Sequence, residues 1–174
     1  MPCHCQRWAR TAQYFDCYGE KGHELAYFIG NENIPDWIRS SLVLKMEETA
    51  EVRSLSQPNG LSWNLTVNAY SLTPQKQIAG FPFHIDVASN GAITAIFTFL
   101  SSATLEIRKL SAMKHIEQYR LTPSSMLLLS GESRWDCEHR VLPDPVEDGA
   151  GTDNPANSIR RLSLVLGCHP KQKK

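Results

Sequence analysis

The sequence predicts a mainly β domain, a sandwich or barrel preceded by a helical region, and three observations predict it. The hydrophobic period changes from helical to two at the turn Gln57-Pro58-Asn59-Gly60. Seven short β-like runs follow, over 62–70, 82–87, 92–100, 104–110, 116–121, 125–129 and 159–166, parted by Gly, Pro, Asn and Ser. The length of 174 residues suits one domain around a single core, and 41% hydrophobic with 21% charged residues is a globular composition.

The elements can be justified in order. Ile34-Pro35-Asp36-Trp37-Ile38 reads as a helix start, since proline's missing N–H costs nothing in the first turn and an aspartate suits the positive end of the helix. Trp37, Ile38, Leu42, Leu44 and Met46 then offer a stripe for burial as far as Glu51, which predicts a helix packed outside the β core. In 62–70 the apolar residues Trp63, Leu65, Val67 and Ala69 alternate with Asn64, Thr66, Asn68 and Tyr70. That pattern predicts a half-buried strand whose polar face ends in Asn68 and Tyr70. Ser89-Asn90-Gly91 and Thr122-Pro123-Ser124-Ser125 separate later strands, and 141–158, rich in Pro, Gly, Asp and Asn, predicts a long loop. The expected division of the single domain 1–174 is a helical or lid extension over 1–60, the β core over 61–167 and a solvated tail over 168–174.

Charge narrows the function classes. Eighteen basic and 18 acidic side chains give zero net charge, which argues against a strongly basic, sequence-blind nucleic-acid binder while leaving room for a local basic groove. No run approaches the roughly 20 apolar residues that span a bilayer, and the most hydrophobic run, 92–100, is interrupted by Thr94 and Thr98. Met1 to Ala12 lacks an apolar h-region, so no secretory signal is expected. Five scattered cysteines, an odd number, predict reduced thiols in an intracellular protein of cytoplasm or nucleus, with organelle targeting left open. A monomer is expected.

His84-Ile85-Asp86 is the sharpest chemical feature. Residues i and i+2 of a strand share a face, so imidazole and carboxylate project together. His139 supplies a second imidazole. Two histidines and a carboxylate on one face of an octahedral metal leave three positions open, as in non-haem Fe(II) oxygenases. The competing reading for a bare His-x-Asp is a pair of solvated or hydrogen-bonded surface residues. In the last run, Leu162, Leu164 and Leu166 form one face, and Arg161, Ser163 and Val165 the other. A cation pointing into a barrel needs an anionic partner, which a dicarboxylate would supply. An arginine at the rim, paired with a protein carboxylate or open to water, is the alternative.

Taken in order, Asn68-Ala-Tyr70, His84-Ile-Asp86, Gly131-Glu-Ser-Arg-Trp135, His139 and Arg161-Leu-Ser163-Leu resemble the AlkB family of Fe(II)/2-oxoglutarate dioxygenases over about residues 60–166. Gln13-Tyr14-Phe15 and Ile34-Pro35-Asp36-Trp37 are similar to the segment leading into that family's core. The resemblance implies a double-stranded β-helix, or jelly roll, with one or two N-terminal helices packed outside. It implies that His84, Asp86 and His139 are catalytic and hold iron, that Asn68 and Tyr70 lie beside 2-oxoglutarate, and that Arg161, helped by Ser163, pairs with its distal carboxylate. An arginine suits bidentate carboxylate recognition. The expected reaction consumes O2 and 2-oxoglutarate and hydroxylates, or oxidatively demethylates, an alkylated DNA or RNA or a protein side chain.

The chain departs from the family pattern in three places. Gly167 stands where the family has a second arginine, the connection 71–80 is longer, and the N-terminal region is short for a nucleotide-gripping lid. A catalytically weakened or inactive binding module is therefore the alternative function, and a cupin-like metal enzyme without 2-oxoglutarate a third. Other groupings are weaker. Cys3-His4-Cys5, with Cys17 and His23, has the ligand types for zinc, but its spacing matches no common finger. Cys168-His169 reads as tail, and His23 and His115 as surface. Trp8, Tyr14, Phe15 and Trp135 are either core or stacking platforms for a flipped base. Arg134, Trp135 and Tyr14 are the candidate substrate contacts, with a structural ion pair the other reading of Arg134.

Overall fold

Alternation after Gly60 is realised as a ten-residue strand, Leu61–Tyr70, with Gly60 itself at φ 75°, a left-handed position that favours glycine. The computed structural model describes residues 6–8, 23–55, 59–72, 77–145 and 159–171. Its strands in chain order are β1 Gln6–Trp8, β2 His23–Ile29, β3 Leu61–Tyr70, β4 Gln77–Ile78, β5 Phe81–His84, β6 Ile93–Phe99, β7 Ala103–Lys109, β8 Ile116–Leu121, β9 Met126–Leu129, β10 Cys137–Val141, β11 Asp144–Pro145 and β12 Arg161–Pro170.

Two antiparallel sheets carry the fold, one in the order β1-β2-β3-β12-β6-β9 and the other β5-β10-β7-β8, with β4 and β11 forming a small separate pair. From β3 onward the chain passes from one sheet to the other and back. Strands β3, β6, β9 and β12 fall in the first sheet and β5, β7, β8 and β10 in the second. This interleaving is the double-stranded β-helix.

Packing forms two layers. Between the sheets, Ile96, Ala103, Leu105, Leu121, Leu129 and Val165 make one cluster. On the outer face of the larger sheet, Ile34, Ile38, Val43, Met46 and Val52 from the helical segments cover Trp63, Leu65, Ala95, Leu164 and Leu166. The helices thus sit outside the β core. No helix among the described residues is long and apolar enough to cross a membrane.

Four details differ from the sequence expectation. Strand β3 is covered on both faces and not one, because the helices close its outer side and the second sheet its inner side. Trp37 and Leu44 are 62% and 52% exposed, although the expected stripe buried both. The cause is a π-helical stretch, Arg39–Val43, between Asp36–Ile38 and Leu44–Glu47. It widens the turn, so the inward positions fall at Ile38, Val43 and Met46 and not on a 3.6-residue period. Strands β1 and β2 extend the larger sheet within a region that read as helical or irregular. The apolar run 25–29 has no clean alternation to announce a strand. Finally, β12 continues through Pro170, paired on both sides as far as Cys168. Cys168, which read as the start of a tail, is fully buried between Trp63 and Ile93. Most of the expected loop, 146–158, lies outside the described residues.

Burial pushes the Cys168 thiol up to about 12, the nearby Glu47 adding to the effect. Only a thiolate is alkylated at a useful rate. Iodoacetamide at pH 8 is expected to leave Cys168 unmodified in the native chain and to modify it fully in denaturant, read by mass spectrometry of the tryptic peptide. Native-state labelling at the denatured rate would contradict its place in the core.

Candidate metal centre

Strand pairing brings the two histidines together. β5 and β10 are antiparallel with His84 directly opposite His139, and their ring centroids lie 4.3 Å apart. Asp86 follows two residues beyond the end of β5, yet one donor atom from each of His84, Asp86 and His139 lies within 4.8 Å of the others. The Nδ1 atom of His84 lies 2.8 Å from the carbonyl of Pro82. A carbonyl only accepts, so Nδ1 donates and Nε2 is the nitrogen that faces the centre. That Nε2 is 3.6 Å from Asp86 Oδ1. Phe81 packs edge-on against the His84 ring at 4.5 Å, and His139 is buried.

The Asp86 carboxyl is ionised through the neutral range. Burial alone would raise its pKa, but the His84 hydrogen bond and the charges of His139, His84 and Arg134 outweigh it and hold the group down at about 2. Its Oδ2 accepts a hydrogen bond from Thr94 Oγ1 at 3.3 Å.

The opposite wall comes from a second strand pair. In the β3–β12 register Asn68 faces Ser163 and Tyr70 faces Arg161. Asn68 Nδ2 lies 3.4 Å from Ser163 Oγ, and Asn68 Oδ1 is buried without a partner. Arg161 is 1% exposed, with its guanidinium carbon 3.7 Å over the Tyr70 ring. One of its nitrogens, Nη2, donates to the carbonyl of Ala79 at 3.2 Å, and the other, Nη1, is buried with no hydrogen-bond partner. Desolvation lowers this guanidinium's pKa, with Tyr70 and Asp144 opposing. A single cavity is lined by His84, Asp86 and His139 on one side and by Asn68, Tyr70 and Ser163 on the other. Arg161 is not among the lining residues; its guanidinium lies against the ring of Tyr70, which is.

The donor set suits a hexacoordinate metal with open positions. Two imidazoles and one carboxylate converge, where a closed structural zinc site would take four ligands. The unpartnered Nη1 of Arg161 is a buried cationic donor of the kind a carboxylate co-substrate fills.

Other residues singled out in the sequence fall elsewhere. Arg134 and Trp135 lie on the short helix Gly131–Trp135, where Trp135 is 44% exposed while Arg134 is buried and turned inward. His115 is exposed, near Glu117. Tyr14, Phe15, Cys3, His4, Cys5 and Cys17 lie outside the described residues. Trp8 and His23 belong to β1 and β2.

Gly167 has a definite physical reason. A Cβ built there would meet the Asn90 carbonyl oxygen at 1.5 Å and Asn64 Oδ1 at 2.7 Å. The loop after Asp86 docks onto β12 at this point: Ala92 N donates to Cys168 O at 2.8 Å, and Asn64 Nδ2 donates to Ser89 O at 2.7 Å. The space that a side chain at 167 would take is filled by the chain's own backbone. Asn90 also lines the cavity, and its buried Oδ1 has no partner. Sequence reasoning missed Asn90 and Thr94. The signal for Thr94 was present, since Thr94 and Thr98 alternate onto one face of an otherwise apolar strand.

No protein-family model matches the chain, and no curated protein matches it. Among solved structures, OsALKBH1 is similar at a TM-score of 0.46 and 16% identity, over 79% of this chain and 63% of that one. A Pseudomonas putida prolyl-4-hydroxylase gives a TM-score of 0.48 and 8% identity, over 92% and 83%. Hydroxypropylphosphonic acid epoxidase from S. wedmorenis gives 0.41 and 10%, over 95% and 56%. The chain thus spans less than two thirds of OsALKBH1.

Overpacking a close approach costs about 1–3 kcal/mol. Gly167→Ala is therefore expected to lower the thermal midpoint by several degrees, at about 2–4 °C per kcal/mol for a chain of this size. An unchanged midpoint would show that the Asn90 loop yields freely.

Proposed function

We propose that the chain is an AlkB-type Fe(II)/2-oxoglutarate-dependent oxygenase that hydroxylates, and where the target is an N-methyl group demethylates, an alkylated nucleic acid or a protein side chain. One observation carries the reading: the His84, Asp86 and His139 donors share a cavity with Asn68, Tyr70 and Ser163, and Arg161, stacked on the Tyr70 ring, has a buried, unpartnered nitrogen. Bound there with 2-oxoglutarate and O2, Fe(II) supplies oxidative decarboxylation to succinate and CO2 coupled to hydroxylation of a substrate C–H bond.

The chain's own residues do the rest. His84 presents Nε2 because Pro82 holds Nδ1, and Asp86 enters as a carboxylate. Asn68 and Ser163 offer polar contacts to the co-substrate, and Arg161 meets its distal carboxylate, with the Tyr70 ring holding the guanidinium in place. The apolar residues Phe81, Ile96, Val141 and Val165 complete the lining and limit water at the reacting atoms. Fe(II), 2-oxoglutarate and O2 are the implied cofactor and co-substrates. Free Cys137 and Cys168 suit a reducing intracellular compartment.

Gly167 favours a second reading, a metal-binding module that has lost the co-substrate, because the Asn90 carbonyl leaves no room for another cation at that position. Anaerobic titration with Fe(II) and 2-oxoglutarate separates the two. The oxygenase reading expects the charge-transfer absorption of chelated co-substrate, abolished in His84→Ala. Arg161→Met is expected to weaken 2-oxoglutarate roughly 10- to 100-fold, the scale of about 1.5–3 kcal/mol for a charged hydrogen bond, with metal binding kept. Absence of the band in the metal-loaded wild type would overturn the oxygenase reading in favour of the module. Formaldehyde release from methylated DNA, RNA and peptide panels, with His84→Ala as control, identifies the substrate class.

A further inference from the structure

Asp86 is the one donor of the centre that no strand carries. β5 ends at His84, so sheet pairing fixes His84 against His139 and leaves the carboxylate to the following loop. Arg134 reaches that loop. Its Nη1 donates to the carbonyl of Asp86 at 2.9 Å and its Nη2 to the carbonyl of Val87 at 2.8 Å, a fork closed on two successive peptide units. The side chain is 1% exposed, its Nε has no partner, and its guanidinium carbon lies 4.3 Å from the centre of the Trp135 ring.

Burying a cation against two neutral carbonyls is costly, so a surface-type role does not account for it. The position is also built. Ser133 Oγ accepts from Ser130 N at 3.0 Å and donates to Ser130 O at 2.8 Å, fixing the first turn of the helix that bears Arg134. That helix runs directly into β10, the strand of His139. Arg134 is thus a brace between the two ligand-bearing segments.

We infer that Arg134 is a positioning residue of the metal centre: its fork holds the Asp86–Val87 backbone so that the Asp86 carboxylate stays aimed between the two imidazoles. The inference rests on the metal-centre reading above. The hydrogen-bond partners of its fork are backbone carbonyls, and its charge also acts on the Asp86 carboxylate. Lysine, a point charge, satisfies only part of such a fork.

The test uses Co(II) alone, titrated into metal-free wild type, Arg134→Lys, Arg134→Gln, Trp135→Leu and His84→Ala, with the d–d spectrum read for coordination and the metal-free thermal midpoint measured alongside. Removing the outer support of a metal ligand typically costs 10- to 100-fold in affinity. The expected result is a 10- to 100-fold weaker Co(II) affinity for Arg134→Gln, partial recovery in Arg134→Lys, and a changed d–d band in both. Trp135→Leu, at a half-exposed position that tolerates truncation, keeps the guanidinium and removes the ring beside it. It is expected to bind a few-fold more weakly, which keeps the test decisive if an Arg134 variant does not fold. Wild-type affinity and spectrum in the folded variants, whatever their thermal midpoints, would overturn the inference alone. A wild-type chain that binds Co(II) no better than His84→Ala would overturn the metal-centre reading and this inference with it.

Discussion

Strand register is the constraint on which everything else depends. His84 opposes His139 across β5 and β10, and Asn68 with Tyr70 opposes Ser163 with Arg161 across β3 and β12. A slip of one residue in either pair would turn the whole polar row to the opposite face. The register of β12 is fixed twice, since β3 and β6 pair with it over most of its length, and the leucines on its other face pack under the helices. Hydrophobic burial on the outside therefore sets the aim of polar groups on the inside.

That inner face is costly to keep. Asn64, Thr66, Asn68, Thr94, Thr98, Arg161 and Ser163 are all buried between sheets that would be more stable if lined with aliphatic side chains. Several polar atoms there are without partners, among them Asn68 Oδ1, Asn90 Oδ1 and Arg161 Nη1. In a folded protein such groups are few and call for a reason. They cluster around one cavity, and a polar ligand filling it would supply the missing hydrogen bonds. The outer face of the smaller sheet shows the contrast: there Glu106 is satisfied by Arg140 and Gln118, and Arg108 by Glu138.

Much of the core was legible in the sequence because period-two alternation reports directly on strand faces. Ile116–Leu121 falls where the pattern put it, and Arg161 and Ser163 lie on the face predicted for them. The His84-x-Asp86 spacing pointed to residues that do converge, but for a partly mistaken reason, since Asp86 is held by a loop and not by strand alternation. What stayed hidden depended on contacts distant in sequence. The π-helical turn at Arg39–Val43 moves the buried stripe without any marker residue. The burial of Cys168 follows from pairing with Trp63 and Ile93, which a segment of Gly167, His169, Pro170 and then lysines around it does not reveal.

The contact between Gly167 and Asn90 bears on how this chain can vary. Since the Asn90 carbonyl fills the space in front of Gly167, a side chain at 167 has to displace the Ala88–Asn90 turn, and moving that turn strains the backbone that carries Asp86. The two positions are therefore epistatic, and the order of substitution matters. A side chain at 167 costs less once the loop has changed than it does before. A side chain at 167 and a rerouted Ala88–Asn90 turn therefore belong together as one change and not two.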